Sequence, residues 1–420
     1  MNLSKSNKIK KTLEETYTRH ANMSCKVIEC KLLKSSINPN TLNHLNKLFL
    51  ESKWLYNSIL SSENIDDYDT KIKKVPVKVL DKFEIRNLDH ISSQMKQSMK
   101  SRIFSSLSTL KALKENGHKV GKLKFKSENK CMPLKQHKNT FTIFVDQQKV
   151  KIQGIKQLLK IKGLDQLPET YEIANANLVH KAGDFFLHIT IYTKKEKMNV
   201  PDESIGIDFG CSTQLTLSNG EQIKFQVPED KRVKRLSHKL SRRMKRSRRY
   251  QRIKVAREKA YLHLTNKRKD IKNKIVSKLV KSYQTICFQD EQLNQWKENG
   301  HGKSIQYSAI GGIITALKNK AVTPIVLNKY YPSTKTCSKC GNKQDIGLHE
   351  RVYVCKQCGH EIDRDLNSAL NMLNEGNRIK NIIPMECGEF KLVENLSSGI
   401  SDYGKIDSMK RETPWSLAKG

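Results

Sequence analysis

Cys337-Ser338-Lys339-Cys340, then fourteen residues, then Cys355-Lys356-Gln357-Cys358, running on into Asp363-Arg364-Asp365-Leu366-Asn367, is the stretch that orients the whole reading. Two paired Cys-x-x-Cys steps let four thiolates close a tetrahedron around Zn²⁺ from two facing knuckles. His360, just beyond Cys358, is surplus to a complete four-cysteine site. A zinc knuckle alone says little about function, whereas a carboxylate-bearing helix joined to it brings a second kind of metal chemistry into play.

The charge balance sharpens this. Lys plus Arg outnumber Asp plus Glu by 78 to 42, a net +36. Such an excess suits a polyanion, because each neutralised phosphate releases counterions. A solubilising surface or ribosomal-type RNA binding would carry the same signature. No run of about 18 apolar residues suggests a membrane span. Met1 to Thr18 is polar and lysine-rich without an apolar centre, unlike a secretory signal. Ten cysteines fit a reducing compartment, and the six outside the knuckles (Cys25, Cys30, Cys131, Cys211, Cys287, Cys387) are scattered, as ordinary thiols are.

Working outward, the period of the apolar residues divides the chain. Residues 1–22 are expected to lack order. A strand-like run from Cys25 to Leu33 opens a segment, 23–40, ahead of helical residues 41–120. There Leu42, Leu45, Leu48, Phe49, Tyr56 and Ile59 follow a 3.6-residue period, as do Ile91, Met95, Met99, Ile103, Leu107 and Leu110. Over 121–200 the period falls towards two. Phe141, Ile143 and Val145 share one face, and Phe185, Leu187, Ile189 and Ile191 share another after a Gly183-Asp184 turn, which predicts antiparallel β structure in a small barrel. A basic linker, Lys194 to Asp202, marks a boundary.

Beyond it, 201–330 opens with Ile205-Gly206-Ile207-Asp208-Phe209-Gly210, a buried strand carrying an acid near its end. Thr213–Leu217 and Gln222–Phe225 flank Asn219-Gly220, a hairpin turn. A carboxylate-bearing strand followed by a hairpin is how RNase H-like folds begin, although many nucleotide-binding domains begin the same way. Residues 231–260 predict a basic helix: Lys231 to Lys259 contains fifteen Lys/Arg around a sparse seam of Leu236, Leu240 and Met244. Self-repulsion on that scale favours a phosphate-lined groove over a solvated isolated helix. Thr285 to Gln289 is a second apolar strand, ending at Asp290 and Glu291, between which periodicity does not choose. Ser308–Leu317 reads as a helix and Thr323–Leu327 as a strand leading to the ribbon, 331–360. Residues 361–378 follow, and 379–420 read as a mobile tail. Three distant carboxylates are what a two-metal phosphodiesterase needs, since Mg²⁺ prefers oxygen ligands.

In this order, GIDFG (206–210), the arginine-rich helix, FQDEQL (288–293), STKTCSKCG (333–341), CKQCG (355–359) and DRDLNSALN (363–371) resemble TnpB. That family comprises the RNA-guided RuvC nucleases of bacterial and archaeal insertion sequences, related to compact type V CRISPR effectors. The resemblance runs from about residue 25 to 375. It implies catalytic, Mg²⁺-holding acids at Asp208, at Glu291 rather than Asp290 (the one before the residue-Leu step), and at Asp365, two residues before Asn367. Ser368 stands where the family commonly has alanine.

The fold implied is α+β and multidomain. A wedge barrel (23–40 and 121–200) would hold an inserted helical recognition lobe (41–120), ahead of a RuvC domain interrupted by the zinc ribbon. Implied partners are a guide RNA and target DNA, double- and single-stranded, with no membrane. Zn²⁺ at Cys337, Cys340, Cys355 and Cys358 would be structural and Mg²⁺ catalytic. Arg242, Arg243, Arg246 and Arg249 are the candidate guide or heteroduplex contacts. The function expected is RNA-guided cleavage of DNA beside a short target-adjacent motif, in the cytoplasm of a bacterium or archaeon. A CRISPR effector of the same lineage and a non-cleaving RNA-guided repressor are the alternatives. A cut-and-paste transposase shares the fold and the acids, but the basic helix and ribbon between those acids favour TnpB.

Overall fold

Apolar side chains at every second position build one long antiparallel sheet in the N-terminal half of the chain. The computed structural model describes residues 5–79, 82–195, 199–245, 247–347 and 349–382. It divides into two compact α+β units at about residue 196, within the basic linker.

The first unit starts with a helix, α1 (Lys5–Ala21), where disorder was expected. No Pro or Gly interrupts this run, and its last turn carries Arg19 and His20, favourable at a helix C-terminus. Both reach Glu172 (2.9 and 3.1 Å), and the His20 ring stacks on Tyr192 at 3.7 Å. Strand β1 (Met23–Leu32) follows, then α2 (Pro39–Ser61), capped by Asn38, whose side chain accepts from Thr41 N–H. A hairpin of β2 (Lys74–Val79) and β3 (Lys82–Asn87) interrupts the helical segment before α3 (Ser93–Glu115). Valines at 75, 77 and 79 give that hairpin its two-residue period.

Six further strands, β4 (Cys131–Leu134), β5 (Phe141–Phe144), β6 (Lys149–Ile152), β7 (Leu159–Lys162), β8 (Glu172–Lys181) and β9 (Asp184–Lys194), complete the unit. Val145, expected on the face of Phe141, lies just past the end of β5. The sheet order is β4-β8-β9-β1-β7-β6-β5, with every neighbour antiparallel. Its edge strands are consecutive in sequence. The seven chain steps from Leu134 to Phe141 span at most about 25 Å, whereas the edges of a flat sheet this wide would stand about 29 Å apart. The sheet therefore curls into a nearly closed barrel. Leu45, Leu48, Leu55 and Ile59 of α2 and Met95 and Ile103 of α3 join one core with Leu187, Ile189 and Ile191 of β9.

The second unit begins with β10 (Ser204–Phe209), β11 (Leu215–Leu217) and β12 (Gln222–Ile223). The expected single basic helix is two: α4 (Lys231–Ser241), capped by Asp230, and α5 (Arg248–Ser282), capped by Ser247. Val233 and Leu236 of α4 pack with Ala260 and Leu264 of α5, so the chain doubles back between them. Met244 lies in that turn, 78 % exposed, and not in the seam. Like charges crowd the turn and Ser247 supplies a fresh N-cap, which together favour two packed helices over one.

After β13 (Thr285–Gln289) come α6 (Leu293–Trp296), α7 (Gly302–Ser308) and α8 (Ile310–Lys320). The helix expected over 308–317 is split at Ala309, which adopts a left-handed conformation (φ 54°). Then follow β14 (Thr323–Leu327), the ribbon pair β15 (Val352–Val354) and β16 (Glu361–Asp363), and α9 (Arg364–Ile382). The main sheet runs β12-β11-β10-β13-β14. Adjacent strands among the first three pair antiparallel, and β10, β13 and β14 are parallel.

Helix α9 covers this sheet at close range. A Cβ on Gly206 would overlap the Ala369 carbonyl, and one on Gly376 would overlap the Cys287 sulfur. The helix runs to Ile382, past the expected end at 378, and the rest of the expected tail lies outside the described residues. Among the described residues no helix is long and apolar enough to cross a membrane.

Candidate metal centre and carboxylate cluster

Parallel pairing of β10 with β13 places their C-terminal ends side by side, and each end carries an acid. Asp208 is the fifth residue of β10, and Glu291 lies two residues beyond β13. Helix α9 brings Asp365 in its first turn. Burial pushes the Asp208 carboxyl well above the usual carboxylate range, and the charges of Asp365 and Glu291 push the same way. The Ser368 hydroxyl, which donates to Asp208 Oδ1 at 2.9 Å, and the Arg364 charge oppose them. Burial, followed by the neighbouring Asp290, pushes Glu291 up to about 7. The Cys211 thiol, just past β10, is raised by burial and by the charge of Glu291.

The two acids that periodicity left undecided are distinct in space. Asp290 pairs with Lys318 of α8 at 2.8 Å, while Glu291 bears on Asp208. Asp363 caps α9, its Oδ1 accepting from the N–H groups of Asp365 and Leu366 at 3.0 Å each. Asp365 lies 3.4 Å from Arg364 Nε.

The cysteines gather more tightly. Among the described residues Cys337, Cys340, Cys355 and Cys358 form the one group of potential ligands whose donor atoms all lie within 4.8 Å of one another. The Cys337–Cys358 and Cys340–Cys355 sulfurs are 3.8 and 3.6 Å apart. A tetrahedron with Zn–S bonds of 2.3 Å has edges of about 3.8 Å, so the donor set fits zinc.

The two knuckles are built alike. Cys337 N–H donates to Asn342 O and Cys355 N–H to His360 O, while Gly341 and Gly359 N–H donate back to Cys337 O and Cys355 O. Both glycines need positive φ (76° and 67°) for this turn. His360 thus closes a knuckle through its carbonyl. Backbone N–H groups of Cys358 and Gln357 hold the Cys355 thiol below its ordinary range. Buried Tyr353 fills the ribbon's small core between Cys337 and Cys355.

Three polar residues of this region escaped the sequence reading. Besides Ser368, Asn367 and Asn371 are buried on α9 one turn apart. Asn367 accepts from Ser338 N–H (2.9 Å) and donates to Thr336 O (2.7 Å), and Asn371 donates to Ser333 O (2.8 Å) and Thr336 O (2.6 Å). They fasten the entry of the ribbon to α9, and the Asn-x-x-x-Asn spacing was the signal that could have found them. Of the candidate arginines, Arg242 and Arg243 lie in the turn after α4 and Arg249 in the first turn of α5, all exposed. Arg246 lies outside the described residues.

Fold and site define a two-unit α+β protein whose second sheet ends in clustered acids and is joined to a four-cysteine ribbon. Residues 188–297 match the OrfB_IS605 family, described as "Probable transposase", and 313–372 match "Cas12f1-like, TNB domain". A Streptomyces pristinaespiralis protein named "Putative RNA-guided DNA endonuclease" is 29% identical over 52% of this chain and 56% of its own length. "TnpB-like protein L79" of Acanthamoeba polyphaga mimivirus is 28% identical over 46% of this chain and 41% of its own length. Over these segments the chain is similar to TnpB proteins. Its matches span about half the length of these curated relatives. The Cas12f1 chain of a solved Cas12f1–sgRNA–target DNA complex aligns with 84% of this chain and 99% of its own, at 14% identity and a TM-score of 0.28, too low to bear on the fold.

Proposed function

We propose that this protein is an RNA-guided DNA endonuclease of a transposable element, cutting DNA paired to its guide beside a short target-adjacent motif. The observation that carries the reading is the convergence of Asp208, Glu291 and Asp365, from two parallel strand ends and the helix across them. The order β12-β11-β10-β13-β14, three strands antiparallel and two added in parallel, supports an RNase H-like, RuvC-type domain. Sites in such sheets form outside the carboxyl ends of parallel strands, where these acids sit.

The donor set suits Mg²⁺. Buried carboxylates that repel one another are stabilised by a hard dication with oxygen affinity. When bound, two such ions would supply Lewis acidity at the phosphate and a water activated for in-line attack. The chain's own part is to hold them through Asp208, Glu291 and Asp365. Ser368 fixes the orientation of Asp208 by its hydroxyl. Zinc in the ribbon is structural on this reading, since four thiolates leave it no open position.

The barrel and the helices α2 and α3 would form the wedge and recognition lobe that hold guide RNA. The net charge of +36 and the RNA-guided names of the relatives support those partners. The test is cleavage of a matched DNA target by the guide-bound protein with each acid replaced. Asp208→Ala, Glu291→Ala and Asp365→Ala should each abolish cutting almost as fully as all three together, with guide binding retained. Asp290→Ala, which loses a contact to Lys318, should still cut. An active Glu291→Ala beside a dead Asp290→Ala would overturn the site.

A further inference from the structure

The segment between β14 and the ribbon is held on both sides, yet it turns one aromatic ring outward. Gln289, at the end of β13, donates from Nε2 to the carbonyls of Asn328 (3.2 Å), Lys329 (2.9 Å) and Tyr331 (2.9 Å), and its Oε1 accepts from Ser333 Oγ at 3.1 Å. The Tyr331 hydroxyl donates to Asn371 O on α9 at 3.3 Å, and Asn371 donates to Ser333 O. Within this fastened turn Tyr330 is 78 % exposed, and Lys329 Nζ stands 4.7 Å from its ring centroid.

The anchors of this turn are also neighbours of the acids. Gln289 precedes Glu291 by two residues on the same strand end, and Asn371 lies six residues after Asp365 on α9. The backbone that carries the ring is already held, so binding need order only the two χ angles of the side chain. Bases stack on such rings regardless of sequence, and an adjacent lysine suits the phosphate between them. A core role is excluded by the exposure, and a fold-stabilising role by the absence of any ring partner beyond Lys329 among the described residues.

We propose that Tyr330 is a positioning residue that stacks on a base of the DNA strand being cut, with Lys329 on a neighbouring phosphate, so that the scissile phosphate is registered against the acids. This rests on the nuclease reading above, and it assigns a ring to hold the strand that reading leaves unplaced. A guide RNA bound at the same ring is the competing occupant that the measurement separates.

The experiment uses the full chain purified with the guide RNA it carries, and DNA with 2-aminopurine placed in turn at positions around the cut. In an Asp208→Asn background, which binds without cutting, one position should be quenched by Tyr330. Tyr330→Ala should restore its fluorescence, and Tyr330→Phe should keep the quench. In the cutting-competent protein, Tyr330→Ala should weaken use of a short single-stranded substrate about tenfold or more, seen in KM before kcat. Zinc content and guide affinity should stay at parental values. Parental KM and quenching in Tyr330→Ala overturn the proposal, as does a loss confined to guide affinity. A parent that fails to cut matched DNA overturns the nuclease reading instead, and the fluorescence arm still decides the role of the ring.

Discussion

Gly206→Ala is the sharpest test of how the acids are assembled. The new Cβ would lie 2.8 Å from Leu373 N and 3.0 Å from Leu373 Cβ, besides overlapping the Ala369 carbonyl. Ordinary carbon contacts lie at about 3.5–4.0 Å, and the obstructing atoms include helix backbone, which no rotamer change can move. Helix α9 must therefore retreat from β10 by roughly 0.5–1 Å at Leu373 and by more at Ala369. Ser368 adjoins Ala369, and its 2.9 Å bond to Asp208 would be stretched beyond hydrogen-bonding range. Overpacking of this kind costs about 1–3 kcal/mol of stability. A misplacement of about 1 Å among groups that act together costs on the order of a hundredfold in rate. The assay is a time course of plasmid cleavage by the guide-bound variant, with thermal unfolding and guide affinity measured on the same preparation. Cleavage should fall steeply while guide affinity holds. Gly121→Ala, whose Cβ meets nothing within 4 Å, should change neither. A Gly206→Ala protein that cuts at the parental rate would show that α9 does not set the geometry of the acids.

Three other outcomes are expected. Cys355→Ser should release the zinc, read by elemental analysis, and loosen the ribbon while the first unit keeps its unfolding transition; active protein without zinc would sink the assignment. Glu291, near 4.5 when unfolded and about 7 when folded, binds more protons in the native state between those values. Through Glu291 alone, metal-free protein should thus lose on the order of 3 kcal/mol of stability as pH rises from 4.5 to 7, beside a contribution of the same sign from Asp208, and Glu291→Gln should make the slope shallower; a slope unchanged in the variant would refute the shift. Replacing Arg242, Arg243, Arg246 and Arg249 with alanine should weaken guide binding whatever the spacer and reduce its salt slope by about 0.7–0.9 per lost phosphate contact; a parental slope would mean that these arginines face only solvent.

The parts of the fold legible in the sequence are those fixed by short-range spacing. The cysteine knuckles were legible because both halves of each turn lie within five residues, as was the alternation that buries Phe185, Leu187, Ile189 and Ile191 in β9. The apolar stripes of α2 and α3 were legible for the same reason, except that Ile91 precedes α3 and Leu110 does not join the core. The break between α4 and α5 was not, because Lys and Arg are good helix formers and only Ser247 marks the restart. The hairpin β2–β3 was hidden inside a segment assigned to helices by residues on either side of it. At the site, Asp208 announced itself as an acid on an apolar strand. Asp290 and Glu291 differ in their surroundings through Lys318 and Asp208, neither visible locally. The role of Ser368 was missed because a lone small polar residue on a buried helix face has no periodic signature and its partner lies 160 residues away, while Asn367 and Asn371 carried only their four-residue spacing, with partners 29 to 38 residues away.

That last separation has a consequence for how the protein is made. The barrel's strands all lie before residue 195, and they can pair while the ribosome is still elongating the second unit. Asp208, by contrast, waits about 160 residues for its Ser368 partner, and the sheet stays uncovered on that side until α9 emerges. Translation thereby imposes an order of events: surfaces built from the first unit exist before any complete set of acids does. A nascent chain stalled within the ribbon would carry Asp208 and Glu291 but neither Asp365 nor the helix that presses on the sheet, and so would lack the full set of carboxylates.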